Sequence, residues 1–405
     1  MKLDLTTSVT IRPTTYWASL DGQTVLFSSD DRRLHALNRT AASVWSAMDN
    51  DQIVAEMVER IAPEYGAHRQ DIEADVLAVL ERFVESELCS VGAYPKSSRP
   101  GPTRRGCAGS ASQLGRRGAQ RLGPYRALGV PVVVETDDAL LSAALDRVLD
   151  PLRSADVDFL DDDDVARLQL VVVTAVDGNW RISRNGRSIV TVSTRERALR
   201  TVVAECNSAP LRHIDDAVVF HAAGADLGRG VVLVPGVSNA GKSTLVTQLL
   251  QRGHAYVSDE AIAVDLDSLH ARPYAKSICL EAGSHLLFPE LAPRGVLGGA
   301  DSTTWDVDPR MIGPGRISSG GSICALVFAR FEAGATAALQ PIEPFEVLQM
   351  LIANAFDFAH VGQAGFDALV RMADALPAYV LVHGGGTSHL DQLETLFGGR
   401  RAISL

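Results

Sequence analysis

The stretch that most constrains the fold of this chain is Gly236-Val-Ser-Asn-Ala-Gly241-Lys242-Ser243, which satisfies G-x-x-x-x-G-K-[ST] at every fixed position. Backbone N–H groups can turn inward around an anion only where side chains are small or tolerate unusual φ, hence the glycines. The flanks agree. Val231–Val234 is a wholly apolar run of strand length, and Ser243–Arg252 has the spacing of an amphipathic helix. Gly236, Ser238, Asn239, Ala240, Gly241, Lys242, Ser243 and Thr244 are therefore expected to cradle a nucleotide, with ATP the default donor. Lys242 would neutralise the β- and γ-phosphates and the Ser243 hydroxyl would ligate Mg2+, with the helix N-terminus adding its dipole.

Further along, a strand-like Ala255–Val257 runs into Ser258-Asp259-Glu260. Adjacent carboxylates at the C-terminal end of a strand stand on the edge where such sheets bind ligands. One can hold Mg2+ while the other takes the proton of an attacking hydroxyl. His221 opens His-Ala-Ala-Gly before the Val231 strand; a single His is as a rule structural, and His213 and His254 carry that same reading. His383-Gly384-Gly385-Gly386 imitates an esterase oxyanion hole, but no nucleophile elbow accompanies it, because Gly236-Val-Ser238 continues Asn-Ala. A glycine turn ending a strand is the expectation there. Asp161–Asp164 reads as a solvated helix cap rather than a metal site, since consecutive Asp side chains point apart. The Gly- and Ser-rich loop between Gly295 and Gly321 is a candidate lid, from which Arg310 or Arg316 could meet phosphoryl charge.

At 405 residues the chain suits two or three domains. Residues 1–95 read as a small α+β unit: strands Trp17–Leu20 and Thr24–Phe27 around Asp21-Gly22, a third at Leu34–Leu37, then helices at Arg39–Met48, Asp51–Ile61 and His68–Glu85. Residues 96–127 are rich in Gly, Pro, Ser and Arg, and read as a flexible basic linker. From 128 to 405 strands alternate with helices, with Trp180–Val192 read as a hairpin turning at Asn185-Gly186. The fold class expected is an α/β P-loop kinase domain with a mostly parallel sheet, preceded by a small winged-helix-like domain. A net charge of −11 disfavours nucleic acid and membrane surfaces as partners. With no apolar run long enough for a signal peptide or membrane helix, the expected compartment is the cytoplasm, and the scattered cysteines are expected to be free thiols.

Two resemblances add to this. From His221 to Ser277 the chain resembles the HPr serine kinase family, in its divergent peptide-tailoring members. The likeness rests on His221 leading into Gly-Arg-Gly-Val-Val-Leu-Val-Pro-Gly, then the loop, then Arg-Gly-His-Ala-Tyr-Val-Ser-Asp-Glu at 252–260. It implies that Asp259 is the base, that Glu260 joins Ser243 on Mg2+, and that His221 stands with Lys242 among the catalytic residues. Asn239 replaces a usual glycine, and the family's downstream E-[IV]-R-G-[LIVM]-G segment has no counterpart, so HPr is not the expected acceptor. Residues 1 to about 90 resemble the PqqD peptide-chaperone family, or RiPP recognition elements, through Leu37-Asn38-Arg39-Thr40-Ala41-Ala42, Trp45, and Asp75-Val76 with Leu80. That resemblance implies capture of a leader peptide as an added strand.

The expected function is ATP- and Mg2+-dependent phosphorylation of a hydroxyl, most simply Ser, on a ribosomally made precursor peptide whose leader is held by residues 1–95. A kinase of free serine or another small molecule, and an ATPase that drives a partner enzyme, stand as the alternatives.

Overall fold

The computed structural model describes residues 2–48, 52–64, 68–92, 118–153, 162–208, 210–293, 303–356, 358–384 and 386–398. The chain forms two compact units, one drawing on residues up to 103 with 344–349 and 357–375, the other on the rest.

In the first unit β2 (Thr15–Leu20) and β3 (Gln23–Ser28) form a hairpin. Asp21 and Gly22 both take positive φ, 47° and 74°, as a two-residue turn that follows strand twist requires. β4 (Arg33–Ala36) extends this sheet, and β1 (Ser8–Ile11) lies in a second one between β5 (Gln52–Ile53) and β6 (Cys89–Val91). Helix α1 (Arg39–Ala47) starts where the Asn38 side chain accepts Ala41 N–H at 2.9 Å. It packs with α2 (Val54–Ile61) and α3 (Arg69–Glu85) around Trp45, Met57, Val76, Leu80 and Phe83.

The second unit opens with a five-stranded sheet. Its strands are β7 (Gln120–Ala127), β8 (Val130–Thr136), β9 (Gln169–Val176), β10 (Asn179–Arg184) and β11 (Arg187–Val192), in the order β11-β10-β9-β8-β7. Helices α4 (Ala139–Leu149), α5 (Asp162–Arg167) and α6 (Arg195–Ser208) accompany it. β7 occupies the end of the stretch read as linker, because Tyr125 and Ala127 are fully buried there; residues 96–117 lie outside the described residues. Asp164 is not a solvated cap: it is buried and accepts two bonds from the Arg126 guanidinium, at 2.9 and 2.6 Å. Asp161 lies outside the described residues.

The larger sheet contains β12 (Ala217–Asp226), β13 (Val231–Pro235), β14 (Ala255–Ser258), β15 (Ala261–Asp265), β16 (His270–Arg272), β19 (Gly321–Phe331), β20 (Ala338–Pro341) and β21 (Ala378–His383). A separate pair, β17 (Ile278–Glu281) and β18 (Thr304–Val307), stands apart from it. Helices α7 (Lys242–Gln251), α8 (Ala282–His285), α9 (Pro344–Asn354), α10 (Gly362–Ala375) and α11 (Ser388–Phe397) complete the chain.

This sheet is mixed, which corrects the expectation of a mostly parallel one. Among its described strands, parallel pairing occurs at β13–β19 and β19–β21, and every other pairing is antiparallel. The cause is connection length. β12–β13 and β15–β16 are each joined by a few residues, and such a short link returns a strand antiparallel, while β14 and β15 follow one another in the same direction alongside β12.

Helix α10 belongs to the first unit and packs on β2 and β3. The Phe366 ring lies on Phe27 at 5.8 Å between centroids and near Tyr16 at 6.5 Å, while Phe358 stacks on Phe27 at 5.3 Å. The Gln363 amide exchanges bonds with the backbone of Trp17.

Candidate functional site

β13 is buried along its whole length and ends at Pro235, so residues 236–241 emerge at a fixed point before α7. Leu245, Val246, Leu249 and Leu250 bury one face of α7 in a core shared with Ala223 and Ala225 of β12 and Val232 and Val234 of β13, and fix the helix to the sheet. Between the two, Asn239 and Gly241 take φ of 66° and 84°. Asn is among the few side chains that adopt this conformation readily. With its amide nitrogen turned toward Glu281, Asn239 donates to that carboxylate at 2.6 and 3.2 Å. The Thr244 and Ser284 hydroxyls are bonded at 2.6 Å. The stretch from β17 into α8 thus grips the loop, and neither Glu281 nor Ser284 stood out in the sequence.

Lys242 is buried, and its ammonium donates to the Gly236 and Val237 carbonyls, each at 2.7 Å. It also lies 3.1 Å from His221 Nε2. His221 stands midway along β12, and its Nδ1 is 3.0 Å from the Glu260 carbonyl. A carbonyl only accepts, so Nδ1 carries the proton and Nε2 presents its lone pair to the ammonium, the tautomer being assigned from these partners. Burial and the neighbouring Lys242 charge both lower the His221 pKa below its ordinary value, consistent with a neutral ring. Burial also lowers the Lys242 pKa, against the pull of Glu260, Asp259 and Glu281.

The corner between β14 and β15 carries the carboxylates. Ser258 Oγ shapes it by accepting Glu260 N–H at 3.1 Å and Ala261 N–H at 3.2 Å. Asp259 is buried, its side chain 1% exposed, and accepts four bonds. Oδ1 takes the Tyr256 hydroxyl and the Lys276 ammonium, both at 2.9 Å. Oδ2 takes Cys279 N–H at 3.0 Å and the Ser243 hydroxyl at 3.2 Å. The Glu260 side chain is 33% exposed, with its carboxylate oxygens 4.0 Å from His221 Nδ1 and 3.8 Å from Lys276 Nζ. Lys276 is 3% exposed, and the charges of Asp259 and Glu260 raise its pKa despite the opposing effect of burial. Sequence reasoning passed over Lys276. Its signal was a lone charge in the uncharged run Tyr274 to Leu280.

The structure thus brings His221, Lys242, Ser243, Asp259 and Glu260 together. Other candidates stand elsewhere. Arg310 is held by Asp308 and, at 2.6 Å, by Asp150, while the Arg316 carbonyl accepts Tyr256 N–H at 2.8 Å. His254 bonds Glu394 at 2.9 Å and His213 bonds Gln169 at 3.0 Å. His383 ends β21 and is buried; its Nε2 lies 3.7 Å from where a Cβ on Gly241 would stand.

The arrangement suits a magnesium–nucleotide. The N–H groups of Lys242, Ser243 and Thr244 precede the first helical bond of α7, Leu245 N–H to the Gly241 carbonyl, and are available to phosphate oxygens. The Ser243 hydroxyl donates its hydrogen bond to Asp259, leaving lone pairs for a hard cation. Among the described residues no three His, Cys, Asp or Glu side chains converge as a metal cage. Mg2+ needs none, since it keeps waters and is held through few protein groups plus substrate phosphates.

Comparison with known proteins bears on the first unit. Residues 23–88 match the family model described as "Coenzyme PQQ synthesis protein D (PqqD)". The chain carries a PqqD domain. Among solved structures, the chain is similar to TbiB1 in complex with the TbiA(beta) leader peptide, at 24% identity and a TM-score of 0.19, over 21% of this chain and 96% of that one. It is also similar to the Hpr(Ser) kinase/phosphatase from Coxiella burnetii, at 15% identity and a TM-score of 0.25, over 44% of this chain and 92% of that one. No curated protein matches the chain. The PqqD match spans β3, β4, α1, β5, α2 and α3 and stops at Leu88, immediately before β6. Among the described residues, no helix is long and apolar enough to cross a membrane.

Proposed function

We propose that this chain is an ATP- and Mg2+-dependent kinase that phosphorylates a hydroxyl, most simply of Ser, on a ribosomally made precursor peptide, with residues 1–95 holding the leader. The observation that carries the reading is Ser243 at the start of α7 bonded to Asp259 at the β14–β15 corner, with Glu260 beside it. Loop 236–241 and the first turn of α7 would hold the triphosphate, and Ser243 the metal. ATP supplies an activated phosphoryl group and Mg2+ its charge neutralisation. Lys242, fixed by His221 and two loop carbonyls, would keep its charge where the β- and γ-phosphates lie. A carboxylate at the corner would take the acceptor proton.

The PqqD domain supplies the peptide part of the reading. TbiB1 was solved with a leader peptide, and a tether raises a weakly bound acceptor to about millimolar effective concentration. The test is mass spectrometry of precursor peptide incubated with Mg2+-ATP and full-length protein at micromolar concentrations. A gain of one phosphoryl group, lost in Lys242→Ala and strongly reduced for a leaderless core peptide, is the expected result. Equal rates with and without the leader would move the reading to a small-molecule kinase, and ATP consumption without phosphopeptide to an ATPase.

A further inference from the structure

The Asp259 carboxylate has about four lone-pair sites, and four donors fill them: Tyr256 Oη, Lys276 Nζ, Cys279 N and Ser243 Oγ. A group so engaged, with 1% of its side chain exposed, offers no site to the hydroxyl of an incoming acceptor. Glu260 is its opposite. Its side chain is one-third exposed, and both facing cationic or ring nitrogens stand beyond hydrogen-bond length, at 3.8 and 4.0 Å.

Resting on the kinase reading, we propose that Glu260 rather than Asp259 is the catalytic residue that takes the acceptor's proton, and that Lys276 is a positioning residue that locks Asp259 against Ser243. The acceptor oxygen would form its bond to the γ-phosphorus as the bond from that phosphorus to the β,γ-bridging oxygen breaks. The electron pair leaves with ADP, and the hydroxyl proton passes to the Glu260 carboxylate. Asp259 would act through Ser243: by accepting the hydroxyl's hydrogen bond it would turn the Ser243 lone pairs toward the site where Mg2+ would be held. Lys276 restrains the carboxylate from the other side. Removing Lys276 would leave Oδ1 with the Tyr256 hydroxyl as its partner and loosen the carboxylate that holds Ser243. This exchanges the roles that the resemblance to HPr kinases implies for the two acids.

The test uses full-length protein and two readouts. Binding of Mn2+ in the presence of ATP, followed by electron paramagnetic resonance, reports the metal side without turnover. Loss of a group that orients a metal ligand costs about 10–100-fold in metal affinity, and that loss is expected for Asp259→Asn and Lys276→Met. Their affinity for ATP in EDTA should stay at the wild-type value, which a general structural defect would not allow. Because Lys276→Met leaves a buried carboxylate without its cation, the double variant Asp259→Asn/Lys276→Met, neutral at both positions, is the folded control and should also bind Mn2+ weakly. Glu260→Gln should keep Mn2+ affinity but lose about 10²–10⁴ in single-turnover phosphopeptide formation.

Wild-type Mn2+ affinity in the double variant, or a Glu260→Gln variant whose defect is cured by excess metal, overturns the assignment. If wild-type protein binds Mn2+-ATP and shows the predicted losses but never yields phosphopeptide, the kinase reading fails and takes the Glu260 role with it. The pairing of Lys276, Asp259 and Ser243 then stands on the binding data.

Discussion

Replacing Phe366 by Ala should loosen the PqqD domain, although the substitution lies far downstream of residues 23–88. The ring is fully buried, stacked on Phe27 at 5.8 Å and 14°, and flanked by Tyr16 at 6.5 Å. Phe27 in turn carries Phe358 at 5.3 Å, so truncation leaves a cavity against the Phe27 and Tyr16 rings rather than a surface dent. Phe→Ala at such a site costs about 3–5 kcal/mol. Divided by a urea dependence of about 2 kcal/mol per molar, that lowers the unfolding midpoint of this unit by roughly 2 M. Peptide-resolved hydrogen exchange separates the units. Protection of β2 and β3 should fall by about 10²–10⁴-fold, while β13 and α7, in the other unit, keep theirs. Leader binding should weaken with the exchange, and ATP binding should not. Unchanged protection of residues 15–28 would refute the reasoning, because it would mean that α10 adds nothing to the sheet it covers.

Other outcomes follow from single contacts. His221→Phe removes the acceptor that faces the Lys242 ammonium at 3.1 Å, so ATP affinity measured by calorimetry should fall, and less than in Lys242→Ala. Excess free leader peptide should inhibit phosphorylation of full-length precursor and leave basal ATP hydrolysis unchanged; equal inhibition of both would contradict separate leader and nucleotide sites. His389 is buried beside His383 at 4.7 Å, and burial, with the His383 and Arg252 charges, pushes its pKa down to about 4 from 6.5. Between those values the unfolded chain binds a proton that the folded one refuses, so stability present above pH 6.5 is lost as pH falls toward 4, by on the order of 3 kcal/mol. In His389→Phe, equilibrium unfolding followed against pH should lose that slope.

Much of the fold was legible because its signals are local. The Asp21-Gly22 and Asn185-Gly186 turns need positive φ, and both hairpins formed at them, with φ of 48° and 76° at the second. Helical spacing over 39–48 and 68–85, with Ile72, Val76 and Leu80 on one face, likewise placed α1 and α3. Sheet direction was not legible in this way. Alternation of strand and helix suggests parallel pairing only when no strand goes unseen, and β12 was unseen. Its sequence, AVVFHAAGAD, mixes small and apolar residues without the β-branched density that marks β13. Once β12 is seen, its short link makes the β12–β13 pairing antiparallel, and β12 then receives β15 antiparallel on its other side. The docking of α10 on β2 could not be read at all, since an amphipathic helix declares that it has a buried face and not which sheet covers it.

The site divides along the same line. Loop 236–243 is a contiguous motif whose residue types follow from phosphate geometry, so its members could be named in advance. The partners that fix the roles are scattered: Lys276 comes from the run before β17, Tyr256 from β14 and the Cys279 N–H from β17. A buried lysine costs stability unless it is paired, and the pairing is visible only once Asp259 is in place 2.9 Å away. From sequence, Asp259 and Glu260 are interchangeable neighbours. Folding separates them, because the turn after β14 aims one carboxylate into four donors and leaves the other facing solvent. Which acid is free to receive a proton is therefore a property of the surrounding packing, and substituting the packing residue Lys276 is a sharper probe of the assignment than substituting either acid alone.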